Sequence, residues 1–199
     1  MKLIFATNNT HKLKEIQSLV SDNITILSLS DAGIKTEIPE DFETLEENAY
    51  QKAKFIYDIT GTRCFADDTG LEVSALNGEP GVYSARYSRM GDLQFPEMEV
   101  SKGNIHKLLL KLRNTANRDA RFRTVISLIL DKQEFKFEGI AQGAILRKPR
   151  GEEGFGYDPV FQPEGSSLSF AEMSLLEKNR LSHRGKAVEK LVDFLNQLV

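Results

Sequence analysis

The sequence has 199 residues, of which 40% are hydrophobic and 28% charged, and its formal net charge is −3. These values are typical of a soluble globular protein with one substantial core, and no stretch approaches the roughly 18 apolar residues of a membrane-spanning helix. The slight negative charge argues against a general nucleic-acid-binding surface, which is usually basic. The single cysteine, Cys64, excludes an internal disulfide and a cysteine-clustered zinc site, and its apolar surroundings predict a buried structural thiol.

The first predicted element is a short buried strand at residues 3–6, where four apolar residues precede a polar loop. This apolar run is too short for a signal peptide, so a cytosolic location is the default expectation. The loop at residues 7–12 leads into a helix with Leu13, Ile16, Leu19 and Val20 on one face. Backbone N–H groups at such a helix start suit a phosphate chain, although a capped helix without a ligand fits the same residues.

A short strand at residues 24–27, an acidic run at 37–47 and a helix at about 44–57 are predicted next. The acidic run is typical of a solvated face and of a first helical turn, yet one of its carboxylates could complete a metal site. A strand at 64–66 is predicted to end on Asp67-Asp68-Thr69-Gly70. Strand alternation would turn only one carboxylate to a given pocket, where it suits Mg²⁺; an Asp-rich turn is the alternative.

The second half of the chain mixes helices with long strands, which predicts an α/β domain around a mixed sheet rather than a purely parallel one. Two strands separated by Asp131-Lys132-Gln133 indicate an antiparallel hairpin. The predicted elements are a turn at 77–81, a helix at 101–113, strands at 122–130 and 134–146, a glycine-rich loop at 151–156 followed by residues 157–161, and helices at about 171–179 and 184–198.

Two later segments also carry candidate binding groups. Glycines flank Phe155, so its ring could lie against a flat ligand such as a base, or pack into the core. At the junction before the last helix, Lys178, His183 and Arg184 supply cationic and donor groups, and Ser182 is a plausible N-cap. A surface arginine and a buried histidine are the alternative there.

No single motif identifies a family, but the order of the motifs along the chain does resemble that of a known family. Along the chain stand Thr-Asn-Asn-x-His-Lys, Glu-Glu-Asn-Ala-x-x-Lys-Ala, Ala-Asp-Asp-Thr-Gly-Leu, Pro-Gly-Val-Tyr-Ser-Ala-Arg-Tyr, Gly-Phe-Gly-Tyr-Asp-Pro-x-Phe, Ala-Glu-Met, Glu-Lys-Asn and Ser-His-Arg-Gly-Lys-Ala. This order closely resembles the inosine triphosphate pyrophosphatase family, whose members act on non-standard purine nucleoside triphosphates, over essentially the whole chain.

The resemblance implies an elongated α/β fold with a mixed sheet flanked by helices and two lobes around a central substrate cleft. It implies a single nucleoside triphosphate pyrophosphatase domain over residues 1–199 and a homodimer, with no nucleic-acid or membrane partner. The implied reaction is Mg²⁺-dependent hydrolysis of ITP, dITP or XTP to the monophosphate and pyrophosphate, which keeps these bases out of DNA and RNA.

The resemblance also implies a role for each matching residue. Asp68 would be the catalytic carboxylate and a metal ligand, and Glu40 the second metal ligand. The triphosphate would be held by Thr7, Asn8, Asn9, Thr10, His11, Lys12 and Lys52, with Thr69 touching the substrate beside Asp68. The base and sugar would be bound by Phe155, Gly156, Tyr157, Asp158, Lys178, His183 and Arg184.

The chain departs from the family at Asn8 and His11, where glycine is common, so the backbone of the phosphate loop is expected to differ in detail. Three other functions fit parts of the pattern: a nucleotide-binding regulatory module, a pyrophosphatase for pyrimidine or modified nucleotides, and a structural or interaction protein. A water-activating carboxylate with Lys12 and Lys52 argues against a mere binder. The Ser182-His183-Arg184 block favours purines through the resemblance, and a structural protein would leave the polar clusters unexplained.

Overall fold

The computed structural model describes residues 1–20 and 23–198. The strands are β1 (Lys2–Phe5), β2 (Thr25–Leu27), β3 (Cys64–Val73), β4 (Pro80–Gly81), β5 (Asp119–Leu130), β6 (Gln133–Ile145) and β7 (Phe161–Pro163). The α-helices are α1 (Thr10–Gln17), α2 (Leu45–Thr60), α3 (Val100–Lys111), α4 (Leu175–Leu181) and α5 (His183–Asn196). Short 3-10 helices occupy Ser74–Leu76, Ser84–Arg89, Asp158–Val160 and Phe170–Glu172.

The strands form one sheet in the order β2-β1-β3-β5-β6-β7, and β4 pairs with β3 off this path. β1 is parallel to β2 and to β3, whereas β4 is antiparallel to β3 and β7 is antiparallel to β6. The predicted mixed α/β sheet with flanking helices is therefore confirmed. None of the described helices is both long enough and apolar enough to cross a membrane.

The predicted hairpin is formed by β5 and β6, which are neighbours in the sheet. Its turn consists of Asp131 and Lys132, whose φ angles of 49° and 69° are both positive. Positive φ at both central residues defines a type I′ turn, whose twist matches that of the strands it joins. The predicted hairpin is confirmed, but its predicted turn was one residue too long, because Gln133 is the first residue of β6.

The chain forms two compact units. The first unit comprises Met1–Asp68, Thr124–Gly139 and His183–Val199, and the second comprises Thr69–Arg123 and Ile140–Ser182. The long strands β3, β5 and β6 each contribute residues to both units.

The first unit has an apolar cluster on each face of β1 and β3, because successive strand residues point to opposite sides. Leu3 and Phe5 of β1 join Phe65 of β3 in a cluster with residues of α1 and α5, and the rings of Phe5 and Phe65 stack at 4.6 Å. Ile4 and Ala6 join a second cluster with Cys64, Ala66 and residues of α2. Both faces are thus buried, as is usual for parallel strands.

The second unit has its own core, in which three aromatic rings meet. Phe161 lies 4.7 Å from Phe122 and 5.1 Å from Phe170, measured between ring centroids. Around them pack buried aliphatic residues of β3 and α3, among them Leu71 and Leu108.

The helix predicted at residues 171–179 is replaced by a 3-10 helix and by α4. Ser169 and Ser174 each begin a capping box, in which the serine and a glutamate three residues later exchange side-chain to backbone hydrogen bonds. Met173 between them is extended, with φ −93° and ψ 146°. The apolar spacing alone predicts one helix here, but the two capping boxes start two separate helices.

Candidate active site

The adjacent carboxylates Asp67 and Asp68 lie in the middle of β3. The prediction that the strand ends on them was wrong, because β3 continues to Val73. Leu71 and Val73 extend the buried pattern of the strand, and β4 pairs with its second half. An Asp-rich turn, the alternative interpretation, is thereby excluded.

Strand alternation directs the two carboxylates to opposite faces of the sheet, as predicted. Asp67 follows Phe65 toward α1 and α5, whereas Asp68 follows Ala66 toward α2. Asp67 accordingly binds Lys12 of α1 and residues of α5, and Asp68 binds residues of α2. Two polar clusters with separate partners result.

The first cluster joins Asp68 and Glu40 through one ammonium group. Lys52 of α2 donates hydrogen bonds to Asp68 Oδ1 at 2.9 Å and to Glu40 Oε1 at 2.6 Å. Burial raises the pKa of Asp68, and the positive charges of Lys52 and Lys12 only partly offset this effect. Burial would lower the pKa of Lys52, but Asp68 and Glu40 outweigh it and raise that pKa. The cluster therefore holds a cation between two carboxylates.

The second cluster is a buried chain of ion pairs around Asp67. Its two oxygens accept from Lys12 Nζ at 2.8 Å and from Arg184 Nε at 3.1 Å, and Arg184 Nη1 donates to Glu15 Oε2 at 2.5 Å. Burial alone would raise the pKa of Asp67, but the charges of Lys12, Arg184 and Lys52 hold it well below its ordinary value. The pKa of Lys12 is lowered, chiefly by burial. Each buried charge is thus offset by an opposite one.

The predicted phosphate loop begins α1 with a capping side chain. Asn9 Oδ1 accepts from the backbone N–H groups of His11 at 2.9 Å and of Lys12 at 3.2 Å, so Asn9 caps the helix. Thr7 Oγ1 accepts from the backbone N–H of Asn9. Asn8, Thr10 and His11 are exposed. The capped helix start is therefore observed, and phosphate binding by this loop stays a prediction.

The second unit gathers part of the predicted base-binding group around Asp158. The carboxylate Oδ2 of Asp158 accepts from Lys178 Nζ at 2.6 Å and from the backbone N–H of Phe155 at 2.8 Å. The Lys178 ammonium lies 5.0 Å from the centroid of the Phe155 ring. Lys178 and Asp158 are buried, whereas Phe155 is partly exposed. A desolvated cation therefore lies beside a partly exposed aromatic face.

The other residues predicted to bind the substrate are Tyr157, Gly156, Thr69 and His183, which lie in three different segments. Tyr157 is buried and its hydroxyl donates to the carbonyl of Ser84 at 3.0 Å. Gly156 has a φ of 61°, a backbone conformation that favours glycine. Thr69 in β3 is partly buried, and His183, the first residue of α5, is buried. Their roles toward a nucleotide stay predictions.

Gly154 of the loop should not tolerate a side chain. Its φ is 76°, and a Cβ atom there would lie 2.1 Å from Asp158 Oδ2. We expect Gly154→Ala to lower the free energy of unfolding by about 2–3 kcal/mol, measured by urea denaturation. Gly165→Ala is the matched control, because φ is 79° there and no atom lies within 4 Å of the added Cβ. Equal losses in both variants would show that the contact with Asp158 has no cost.

A magnesium ion would find suitable donors at Glu40 and Asp68. Among the described residues, no group of three or more His, Cys, Asp or Glu side chains is arranged to hold a metal. Mg²⁺ on a polyphosphate, however, takes only one or two protein carboxylates, because phosphate oxygens and water fill its other positions. Glu40 and Asp68 are hard oxygen donors that bind the same ammonium, Lys52. The donor set fits a magnesium–triphosphate complex.

Sequence reasoning missed three residues that bind these clusters. Glu15 is buried and binds Arg184, which is 169 positions away in the chain. Asn48 and Gln51 of α2 bind the backbone that carries Glu40. Asn48 belongs to the Glu-Glu-Asn-Ala motif quoted above, so the motif could have identified it. No feature of the local sequence distinguishes Glu15 and Gln51 from surface residues.

The second unit also has a groove of about 900 Å³. Its lining includes Glu72, Arg121, Gln142 and Gln162, and none of the described residues that line it is a predicted site residue. The groove is separate from the clusters described above.

Comparisons with known proteins agree along the whole chain. A family model described as Ham1 family matches residues 3–194. The dITP/XTP pyrophosphatase of Flavobacterium johnsoniae is 50% identical, covering 98% of each chain, and that of Porphyromonas gingivalis is 50% identical over 98% of this chain and 97% of its own.

Solved structures agree as well. The Staphylococcus aureus Ham1 protein has a TM-score of 0.86 at 35% identity and covers both chains fully. A nucleoside-triphosphatase / dITP/XTP pyrophosphatase from Mycobacterium abscessus has a TM-score of 0.73 at 38% identity, covering 96% of this chain and 99% of its own. With a family model matched over nearly its full length and relatives that share half of its residues, this chain belongs to the Ham1 family.

Proposed function

We propose that this protein hydrolyses non-standard purine nucleoside triphosphates, such as ITP, dITP and XTP, to the nucleoside monophosphate and pyrophosphate. The observation that carries the proposal is the pair of carboxylates Asp68 and Glu40 joined by the Lys52 ammonium. A metal-bound polyphosphate needs carboxylates for the ion and cations for the phosphates, and this cluster supplies both. The names of the relatives, dITP/XTP pyrophosphatase, support the same reaction.

Asp68 is proposed to orient the attacking water and accept its proton. Burial raises the pKa of this carboxyl, which makes its ionised form a stronger base. Lys52 holds the Asp68 carboxylate through a hydrogen bond to Oδ1 and is positioned to offset phosphate charge. Bound Mg²⁺, held by Glu40 and Asp68, would neutralise charge that develops on the phosphate oxygens.

The residues at the start of α1 are proposed to bind the triphosphate. Lys12 would exchange part of its pairing with Asp67 for phosphate oxygens, and its location at a helix N-terminus favours anions. Thr69 is proposed to touch the substrate beside Asp68. The other proposed contacts of this loop are Thr7, Asn8, Asn9, Thr10 and His11.

Base recognition is proposed to depend on fixed hydrogen-bond donors. Hypoxanthine and xanthine have an acceptor oxygen at C6, where adenine has a donor amine. A buried donor left without an acceptor costs about 1–3 kcal/mol, and more when it is charged. Phe155 would stack on the base, and Tyr157 and Asp158 would support that loop. The donors and the rest of the base site are Gly156, Lys178, His183 and Arg184.

The proposal also includes Mg²⁺ as the cofactor, a homodimer, a cytosolic location and one pyrophosphatase domain over residues 1–199. The main alternative function is that of a regulatory module, which binds the nucleotide without hydrolysing it. The cluster around Asp68 speaks against this rival, because a binder has no use for a buried carboxylate of raised pKa.

The first test is pyrophosphate release by the purified protein with Mg²⁺, comparing ITP with ATP and GTP. We expect ITP to exceed ATP in kcat/KM by at least about a hundredfold, the scale of one or two hydrogen bonds to charged donors. A chelator should abolish release. Binding of ITP without any release would favour the regulatory module, and equal rates on all three nucleotides would contradict the proposed base recognition.

A further inference from the structure

Two amide side chains of α2 bind the backbone just before this helix. Asn48 Oδ1 accepts from the N–H of Phe42 at 3.0 Å, and Asn48 Nδ2 donates to the carbonyl of Phe42 at 3.0 Å. Gln51 Oε1 accepts from the N–H of Asp41 at 3.0 Å, and Gln51 Nε2 donates to Asp41 Oδ2 at 2.6 Å. These four bonds hold residues 40–42, here called the Glu40 loop, against the helix.

The Glu40 loop is also held by the ion pair between Glu40 and Lys52. Its three side chains are exposed, including the ring of Phe42 at 44% relative exposure, so burial of an apolar side chain contributes little. Thr44 is the N-cap of α2 and accepts from the N–H of Glu47, so capping already accounts for the helix start. The amide bonds to Asp41 and Phe42 therefore do something other than begin the helix.

The same helix face also holds Asp68. Gln51 and Lys52 follow Asn48 by three and four residues, which puts all three on one side of α2. Lys52 binds both Glu40 and Asp68, and Asn48 Nδ2 lies 3.4 Å from Asp68 Oδ2. Asn48 is buried, with 1% relative exposure. One helix thus sets the separation of two carboxylates that belong to different parts of the chain.

We propose that Asn48 and Gln51 are positioning residues, which fix Glu40 opposite Asp68 so that the two carboxylates are arranged for a divalent cation before it binds. The inference rests on the proposed function in assigning those carboxylates to Mg²⁺. Fixing the loop in advance removes the entropy of ordering it from the cost of metal binding. Gln51 acts through the Glu40 loop, whereas Asn48 acts through this loop and also through its hydrogen bond to Asp68 Oδ2.

The experiment compares Asn48→Ala and Gln51→Ala with Gln94→Ala in the full-length protein. Gln94 is the control because it also donates an amide hydrogen bond to a loop carbonyl, that of Gly91, and it is exposed. Hydrogen–deuterium exchange is measured first, without metal or nucleotide. We expect exchange at the Phe42 amide to rise at least about tenfold in Asn48→Ala, and likewise at the Asp41 amide in Gln51→Ala, since each loses its acceptor.

The second readout is the Mg²⁺ concentration that gives half-maximal hydrolysis of ITP. We expect it to rise about tenfold in both variants, while kcat at saturating Mg²⁺ stays within about threefold of wild type in Gln51→Ala, whose amide binds Asp41. Gln94→Ala should change neither readout. Gln51→Ala keeps the test decisive if loss of the buried Asn48 prevents folding.

Three results would overturn the inference. Unchanged exchange at Asp41 and Phe42 would show that the amides do not hold the loop. Faster exchange with an unchanged Mg²⁺ requirement would show that loop order does not matter to the metal. A kcat that excess Mg²⁺ does not restore in folded Gln51→Ala would assign this amide another role. If the wild-type protein hydrolyses no nucleotide, the proposed function fails by itself, and the exchange data still test whether the amides order the loop.

Discussion

Replacing Asp68 by asparagine is expected to lower kcat for ITP by about a thousandfold or more. The amide keeps the size of the side chain but can neither accept a proton from water nor offer a charged oxygen to the metal, and general bases contribute about 10²–10⁴ in rate. Lys52 retains Glu40 as a partner, so the substitution should leave the fold intact. The measurement is steady-state pyrophosphate release at saturating ITP and Mg²⁺.

Asp58→Asn is the control for this variant, because Asp58 is an exposed carboxylate whose partner is Lys54 of the same helix. It should retain full activity. Undiminished hydrolysis in Asp68→Asn would remove this residue from the mechanism.

Replacing Asp67 by asparagine is expected to cost about 3–5 kcal/mol of unfolding free energy. Its side chain is fully buried between Lys12 and Arg184. Removal of this shared negative charge leaves both cations less well compensated, although Arg184 still pairs with Glu15. Urea denaturation at pH 7 measures the loss. Asp193→Asn, at an exposed position of α5, should change stability by less than about 0.5 kcal/mol. A similarly small effect at Asp67 would show that the ion pairs add no net stability.

The same residue predicts how stability depends on pH. An aspartate in an unfolded chain has a pKa of about 3.9. The pKa of Asp67 in the folded protein lies well below this value. Because the pKa of Asp67 is lower in the folded protein, its ionised carboxylate stabilises the fold fully at a pH above the pKa of the unfolded chain. This stabilisation is lost as the pH falls from there toward the pKa of the folded protein. Wild type should therefore lose stability below about pH 4 more steeply than Asp67→Asn. Parallel acid limbs would contradict the assigned pKa shift.

Local patterns in the sequence predicted much of the fold. The strand at the N-terminus, the β5–β6 hairpin, α2 and α5 follow from apolar spacing and turn residues, which act over a few positions. The continuation of β3 through Asp67-Asp68-Thr69-Gly70 could not be predicted in this way, because these residues individually favour turns. The strand is stabilised there by partners from distant segments, which a local pattern does not contain.

The candidate site was predictable to the same extent. The motif order identified Asp68, Lys52 and Glu40, and the structure brings these three into one cluster. Glu15 is indistinguishable by local sequence from its exposed neighbour Lys14, since its burial depends on Arg184 at the other end of the chain. Tertiary contacts between charges decide which carboxylates are buried, and the spacing of residues along the sequence does not reveal these contacts.

The environment of Cys64 makes this protein convenient for spectroscopy. The thiol is buried in the first unit, it donates to the carbonyl of Ala53, and burial raises its pKa to about 12. Labelling reagents react with the thiolate, which is the nucleophile, so the native cysteine should stay unmodified at neutral pH. Fluorophores or spin labels could be attached to cysteines introduced on the surface without first removing Cys64. Distances between a label on each compact unit could then be followed as nucleotide is added.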